Sequence, residues 1–359
     1  MESIISDALK YSAQKPLPEV ATKEFTPAQV RISVVGVGGA GTNTVSRLYR
    51  MGIKSAKTIA INTDANHLKL VEADKKVLIG ATMTKGLGAG GFPEVGMKAA
   101  EQARDKLAEL VGGSELIFLT AGMGGGTGTG ASPVIAEIAK QQGAIVVAMV
   151  TFPFALERAR LDKADWGLER LKEVCDTVVI IDNNRLASFV PNLPVNQAFA
   201  VADTLVARAV KGISDTIMLP SLVNIDFADV RAIMGNAGQA MISIGEGSGN
   251  DRVQDAVKNT LEHPLLDIDY AGARGALIHV AGGAQLSLGE VTRIGEGITE
   301  AFDSRANVIW GARVIPDMGD KVVVTSIITG VNSPHVIGKT PEKEKHRLAH
   351  VSGLDSISF

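Results

Sequence analysis

The chain predicts an α/β fold: a doubly wound, mostly parallel sheet, then a central helix, then a smaller α/β domain with a four-stranded sheet. Three observations point there. Short apolar runs alternate with helical patterns through the first half of the chain, the rhythm of a sheet covered by helices on both faces. Those runs are unbroken, as in Leu116-Ile-Phe-Leu119 and Ala144-Ile-Val-Val-Ala-Met-Val150, which suits parallel strands buried on both sides. Finally, a mostly apolar helical stretch, Asn196 to Ile217, separates this region from a second series of strands, and such a helix belongs between two bodies.

Taken in order, residues 1–29 carry a weak amphipathic pattern (Ile4, Ile5, Ala8, Leu9) and then Lys15-Pro-Leu-Pro18 and Thr26-Pro27. They read as a short helix and an extended linker. Over 30–195 the strands are Arg31–Val35, Thr58–Ile61, Lys76–Ile79, Leu116–Thr120, Ala144–Val150 and Thr177–Ile181, with helices at 94–110, 133–142 and 161–174. The central helix occupies 196–219. A second domain follows over 220–331, with strands Met241–Ile244, Gly275–Val280, Val308–Arg313 and Val322–Ile328 and helices near 251–262 and 287–303. Residues 332–359 are polar and charged until Leu354-Asp-Ser-Ile-Ser-Phe359, and read as a flexible tail ending in a short apolar peptide.

Composition limits the function. A length of 359 residues calls for two domains. With 36 basic against 39 acidic residues and no basic patch interleaved with aromatics, nucleic acid is not an expected partner. The single cysteine, Cys175, excludes an internal disulfide and suits a reducing cytoplasm. Ala144–Val150 is the longest strongly apolar run and is too short to cross a bilayer. Glu2 and Asp7 near the start do not suit a signal peptide. A cytoplasmic protein with no membrane insertion is expected.

The most informative stretch is Gly122-Met-Gly-Gly-Gly-Thr-Gly-Thr-Gly130, six glycines in nine residues. It lies between a strand and a helical pattern opening at Ser132-Pro133. A strand that enters a glycine-rich loop opening a helix leaves backbone N–H groups unpaired at the positive end of the helix dipole, an anion cradle suited to phosphate. No Lys-Ser/Thr pair follows, so this is not a P-loop. Two further glycine clusters, Gly36–Asn43 and Lys85–Gly91, fall at carboxyl ends of strands, where open α/β sheets bind ligands. Gly36-x-Gly38-x-x-Gly41 by itself matches the dinucleotide fingerprint, with Asp64 at the distance of a ribose-binding acid. An NAD-dependent oxidoreductase therefore remains open on these residues.

The glycine run, taken with Gly38-Gly-Ala-Gly41, Asn62-Thr-Asp-Ala65, Gly86-Leu-Gly-Ala-Gly-Gly91 and Asn224-Ile-Asp-Phe-Ala-Asp229, resembles the FtsZ family of the tubulin superfamily, the prokaryotic cell-division GTPases. The similarity covers roughly 31–331. Asp226-Phe-Ala-Asp-Val and Ile309-Trp-Gly-Ala look closer to its archaeal members. The resemblance implies a cytoplasmic filament at the division site, GTP or GDP with Mg²⁺ as ligands, and a second domain that supplies catalytic residues to the next subunit of a head-to-tail homopolymer. By the same likeness the phosphates lie against Gly38, Gly39, Ala40, Gly41, Thr42 and Asn43 and against Gly124, Gly125, Gly126, Thr127, Gly128, Thr129 and Gly130. Ala89, Gly90 and Gly91 then stand near the γ-phosphate, Glu157 and Arg160 meet the ribose, Asn183 and Asp203 read guanine, and Phe199 stacks on the base. The chain departs from the family in its Glu-x-x-Arg spacing, one residue tighter than usual, and in Asp182 where proline is customary.

Guanine offers N1–H and an exocyclic amine as donors, so a carboxylate such as Asp203 can accept both, while Asn183 can donate to O6 or N7. Asp226 and Asp229 are three residues apart and share a helix face. With Asn224 they can orient a water for attack on a phosphoryl group. The same Asp-x-x-Asp also reads as a capping box. Mg²⁺ is expected to neutralise phosphate charge. A scaffold that binds nucleotide but hydrolyses it poorly is the other reading, and Gly353–Phe359 is a candidate docking peptide for a membrane-tethering adaptor. None of the six histidines forms a zinc-type cluster, so no protein metal site is expected.

Overall fold

In the computed structural model, which describes residues 30–235, 240–262, 268–333 and 336–338, the chain enters at β1 (Ile32–Val37) and turns directly into α1 (Gly38–Arg50). Then come β2 (Lys57–Asn62), α2 (Ala65–Leu70), β3 (Lys75–Leu78) and the single turn α3 (Ala81–Thr84). Helices α4 (Pro93–Gln102) and α5 (Arg104–Val111) lead to β4 (Leu116–Gly122), and α6 (Thr127–Gln141) leads to β5 (Ile145–Phe152). A 3-10 turn, Ala155–Arg160, opens α7 (Leu161–Val174), followed by β6 (Thr177–Asp182), α8 (Asn183–Phe189) and the long α9 (Val195–Met218). The second domain contains α10 (Phe227–Gly235), β7 (Ala240–Gly247), α11 (Arg252–Leu261), β8 (Gly275–Gly282), α12 (Leu288–Thr299), β9 (Asn307–Val314) and β10 (Val322–Thr329); β11 (Val336–Gly338) closes the described chain.

The first sheet runs β11-β6-β5-β4-β1-β2-β3. Its six strands from β1 to β6 are parallel, so their carboxyl ends, and the loops that follow them, share one edge. Side chains alternate between the faces. On one face Val35, Ile117, Leu119, Val146 and Ile180 pack beneath Ala99, Leu107, Ile135 and Leu171 of α4 to α7. On the other, Val34, Phe118, Val147 and Val179 meet Leu48 of α1 and Val206, Val210 and Ile213 of α9. That second core continues into Met241, Ile278 and Val324 of the other sheet, so α9 joins the two halves. Phe118 is 1% exposed; truncating it to alanine would cost about 3–5 kcal/mol. The second sheet has four strands in the order β7-β10-β8-β9, with β10 antiparallel to both neighbours and β8 parallel to β9.

Several expected boundaries shift. The helix expected over 94–110 is two helices, because the backbone leaves helical geometry at Ala103 (φ −100°, ψ 12°). The helix expected from 133 starts at Thr127, inside the glycine run. Tertiary contact overrides the poor helix propensity of glycine there: a Cβ on Gly130 would lie 1.9 Å from the Pro93 carbonyl oxygen of α4, so only glycine permits this crossing. Helix α12 ends at Thr299, short of the expected 303. Within the stretch expected as tail, 336–338 pair antiparallel with β6, and so cover the edge of the first sheet. The N-terminal helix and linker of 1–29 and the terminal peptide 353–359 lie outside the described residues.

Candidate functional site

At the carboxyl edge of the first sheet, the loops after β1, β2, β4, β5 and β6, the 87–91 loop and the first half of α9 surround a cleft of about 740 Å³, within the size range of small-molecule sites. Two helices point their amino ends into it. α1 begins at Gly38 straight after β1, and α6 begins at Thr127 after the turn that follows β4. The two meet closely: a Cβ on Gly38 would lie 2.8 Å from the Gly128 amide nitrogen, and Gly38 has φ +72°. Glycine is therefore required there by both space and backbone. Two dipoles and two sets of unpaired N–H groups converge on one point, which is the electrostatics of a phosphate site.

The third loop closes over this point. A Cβ on Gly126 would approach Ala89 Cβ to 2.7 Å and the Phe92 nitrogen to 3.0 Å. Lys163 from α7 fastens the loop, donating to the Gly91 carbonyl at 2.7 Å with its ammonium 5.3 Å from the Phe92 ring centroid. Asp64 Oδ1 accepts from the backbone N–H groups of Asn66 and His67, capping α2 at the cleft wall.

At the opposite end stand the side chains suited to a nucleoside. Glu157 Oε1 accepts from the Phe154 amide, and its Oε2 pairs with Arg160 Nη1 at 2.5 Å, so the 3-10 turn holds both against the cleft. Phe199 is 41% exposed and is held edge-on by Phe154, ring centroids 5.9 Å apart. Asn183, first residue of α8, is 8% exposed, and its buried Oδ1 has no partner among the described residues. Asp203 Oδ1 accepts from the Thr44 hydroxyl at 2.6 Å. Burial raises the Asp203 carboxyl above the usual carboxylate range, partly offset by the Thr44 hydrogen bond and by Arg47.

Of the residues expected at the site, Gly38, Gly39, Ala40, Asn43, Asp64, Ala89, Gly90, Gly91, Gly125, Gly126, Thr127, Gly128, Glu157, Arg160, Asn183, Phe199 and Asp203 line the cleft. Gly41, Thr42, Gly124, Thr129 and Gly130 are not among its lining residues; they hold its walls. A Cβ on Gly41 would strike the Thr120 carbonyl at 2.1 Å, and the Thr42 hydroxyl donates back to Gly38 O at 2.7 Å. Sequence reasoning passed over His67, which lines the cleft with Nδ1 3.3 Å from the Thr42 hydroxyl. Asn62, which opens the Asn62-Thr-Asp-Ala65 motif, and Thr151 also line it, both at the carboxyl ends of strands. Trp310, in the Ile309-Trp-Gly-Ala stretch of β9, is 42% exposed.

Asn224, Asp226 and Asp229 stand apart from the cleft-lining set, at the start of the second domain. The expected capping box is present: Asp226 Oδ1 accepts from the Asp229 amide at 2.9 Å, and Asp229 Oδ2 from the Asp226 amide at 3.1 Å. Asn224 Oδ1 accepts from the Ser221 amide at 2.7 Å. Among the described residues no group of three or more His, Cys, Asp or Glu side chains could hold a metal ion, and no helix is long and apolar enough to cross a membrane.

Comparison with known proteins agrees with this geometry. Residues 31–191 match the model of the Tubulin/FtsZ family GTPase domain, and 238–332 match the FtsZ family C-terminal domain. The chain is 59% identical to cell division protein FtsZ 2 of Methanocaldococcus jannaschii, across 92% of this chain and 90% of that one. It is 52% identical to cell division protein FtsZ 2 of Halobacterium salinarum, across 96% and 88%. A solved FtsZ dimer of M. jannaschii superposes with a TM-score of 0.78 at 45% identity, covering 91% of this chain and 92% of that one. These matches set aside the dinucleotide reading of Gly36 to Gly41, and the chain belongs to the FtsZ family of cell-division GTPases, the guanine-nucleotide-binding prokaryotic branch of the tubulin superfamily.

Proposed function

We propose that this GTPase works as a head-to-tail homopolymer whose active site is divided between subunits. One subunit holds GTP in its cleft; the Asn224, Asp226 and Asp229 loop of the next subunit orients the attacking water. The observation that carries this reading is the separation just described: the side chains suited to a nucleotide line the cleft, while the Asn224 to Asp229 loop, with its acidic pair, lies outside the cleft-lining set of the same chain. That a relative has been solved as a dimer supports self-association. In the capping box Asp226 Oδ1 and Asp229 Oδ2 each take one backbone N–H, leaving each carboxylate a second oxygen that can accept from water.

Within the cleft, the amino ends of α1 and α6 bind the phosphates, the 89–91 loop sits by the γ-phosphate, and Glu157 and Arg160 bind the ribose. Phe199 stacks on the base, Asp203 accepts from its N1–H and amine, and Asn183 contacts its O6 or N7 edge. Among the described residues the carboxylates form no metal cluster, so Mg²⁺ would be carried mainly by the phosphates and water and would supply charge neutralisation there. The protein acts in the cytoplasm at the division site, with 30–195 as GTP-binding domain, 220–331 as activation domain and 353–359 engaging a membrane-tethering adaptor.

Asp226→Ala tests the reading. It is expected to keep GTP binding and GTP-dependent pelleting while losing turnover by ~10²-fold or more. Unchanged turnover would return Asp226 to a purely capping role.

A further inference from the structure

The carboxyl end of α9 is held from the second domain by one side chain. Arg313, on β9, donates from Nη2 to the carbonyls of Asp215 (2.8 Å) and Leu219 (2.7 Å), and from Nε to the Pro220 carbonyl and the Ser221 hydroxyl (both 3.1 Å). A cation at the negative end of a 24-residue helix also complements its dipole. Lysine could not reproduce this, since the guanidinium fork addresses several acceptors in one plane. The Ser221 hydroxyl also bonds His279 Nε2 at 3.2 Å. Burial and the neighbouring Arg313 lower His279 to about 4, so a neutral imidazole meets the hydroxyl at pH 7.

Ser221 is the junction of two systems. Its side chain belongs to the Arg313 and His279 cluster, while its amide donates to Asn224 Oδ1 at 2.7 Å. The next residues are stitched to β9 as well: Leu222 and Val223 donate to the Ala312 carbonyl at 2.9 and 3.2 Å, and Ala312 donates back to Val223 at 3.2 Å. Segment 219–224 is thus fixed between the end of α9 and the β9 edge, directly ahead of Asp226. The far end of α9 carries Phe199 and Asp203 in the nucleotide cleft, roughly 28 and 22 Å away along the helix.

We propose that Arg313 is a positioning residue for hydrolysis: by clamping the end of α9 to β9 through Ser221, it sets the register of the Asn224 to Asp229 loop that a subunit presents to its neighbour's nucleotide. The inference rests on the divided-site reading above. Arg313 touches no part of its own cleft, so its removal separates binding from turnover.

The test measures, for full-length Arg313→Ala, Arg313→Lys and Ser221→Ala, the GDP dissociation constant, the critical concentration for assembly and kcat per assembled subunit, with Asp226→Ala alongside. Arg313→Ala is expected to lower kcat about 10–100-fold, the scale of an ångström-level misplacement, while GDP affinity stays unchanged. Arg313→Lys recovers part of that loss, and Ser221→Ala, which leaves the carbonyl clamp intact and guards against misfolding of the arginine variant, shows a smaller loss of the same kind. If Asp226→Ala abolishes turnover but both Arg313→Ala and Ser221→Ala assemble and hydrolyse normally, the positioning role is refuted and the divided site stands. It is equally refuted if Arg313→Ala alters GDP affinity and kcat together. Normal turnover by Asp226→Ala would remove the loop's role, and that of Arg313 with it.

Discussion

Replacing Gly38 with alanine tests the proposed phosphate cradle where the amino ends of α1 and α6 meet. Two costs follow from the geometry. An L-residue at φ +72° carries about 1–3 kcal/mol of backbone strain. The new methyl would also lie 2.8 Å from the Gly128 nitrogen, closer than carbon and nitrogen can approach, so the amino ends of α1 and α6 must separate. Withdrawing one N–H from a phosphate oxygen forfeits about 1.5–3 kcal/mol, which is an affinity loss of roughly 10–150-fold. The strain alone lowers the melting temperature by about 2–4 °C per kcal/mol, so the variant remains folded at 25 °C. The assay is calorimetric titration of GDP into subunits kept below the assembly threshold. Gly295→Ala serves as control, because its Cβ meets nothing within 4 Å and it lies in α12 away from the cleft. A Gly38→Ala protein that binds GDP within about threefold of the parent would refute the assignment of the phosphates to this junction.

Two further outcomes follow from charge. The folded-state carboxyl of Asp203 is raised, so its contribution to stability is present below the ordinary carboxylate range and is lost as pH rises through the folded value; at neutral pH the ionised group is a cost. Asp203→Asn keeps an oxygen for Thr44 and removes that cost, so the nucleotide-free melting temperature should rise while GTP affinity falls; a lower melting temperature, or unchanged affinity, would contradict this. Glu290 is lowered from 4.5 to about 2, first by its hydrogen bond to Arg252 and further by the Ser287 bonds that cap α12. Its contribution is therefore complete above pH 4.5 and is lost as pH falls toward 2. Urea melts of Glu290→Gln should show a deficit at pH 7 that narrows across that window; a deficit independent of pH would discount the ion pair.

The parallel sheet was legible because both faces of its strands are buried, which leaves uninterrupted apolar runs in the sequence. The glycine loops at the cleft were legible because glycine clusters are too costly to retain without a close approach, and Gly38, Gly126 and Gly130 each have a neighbour that a Cβ would strike. What escaped depended on partners distant in the chain. A three-residue strand such as β11 has no periodicity of its own and exists through its pairing with β6. The start of α6 at Thr127 is set by packing against Pro93, which overrides local propensity. His67 reaches the cleft because α2 folds back beside α1, and no local spacing announces that. Asp226 and Asp229 form a capping box by geometry, so neither sequence nor hydrogen bonding separates the cap from a second role in hydrolysis.

The most direct measurement is phosphate release per subunit as total protein rises from nanomolar to micromolar at saturating GTP. If two chains complete each site, dilute protein binds nucleotide but turns it over slowly, and the rate per subunit climbs steeply at the concentration where pelleting begins. A rate per subunit that is already maximal in isolated chains, and stays level through that threshold, would contradict the account.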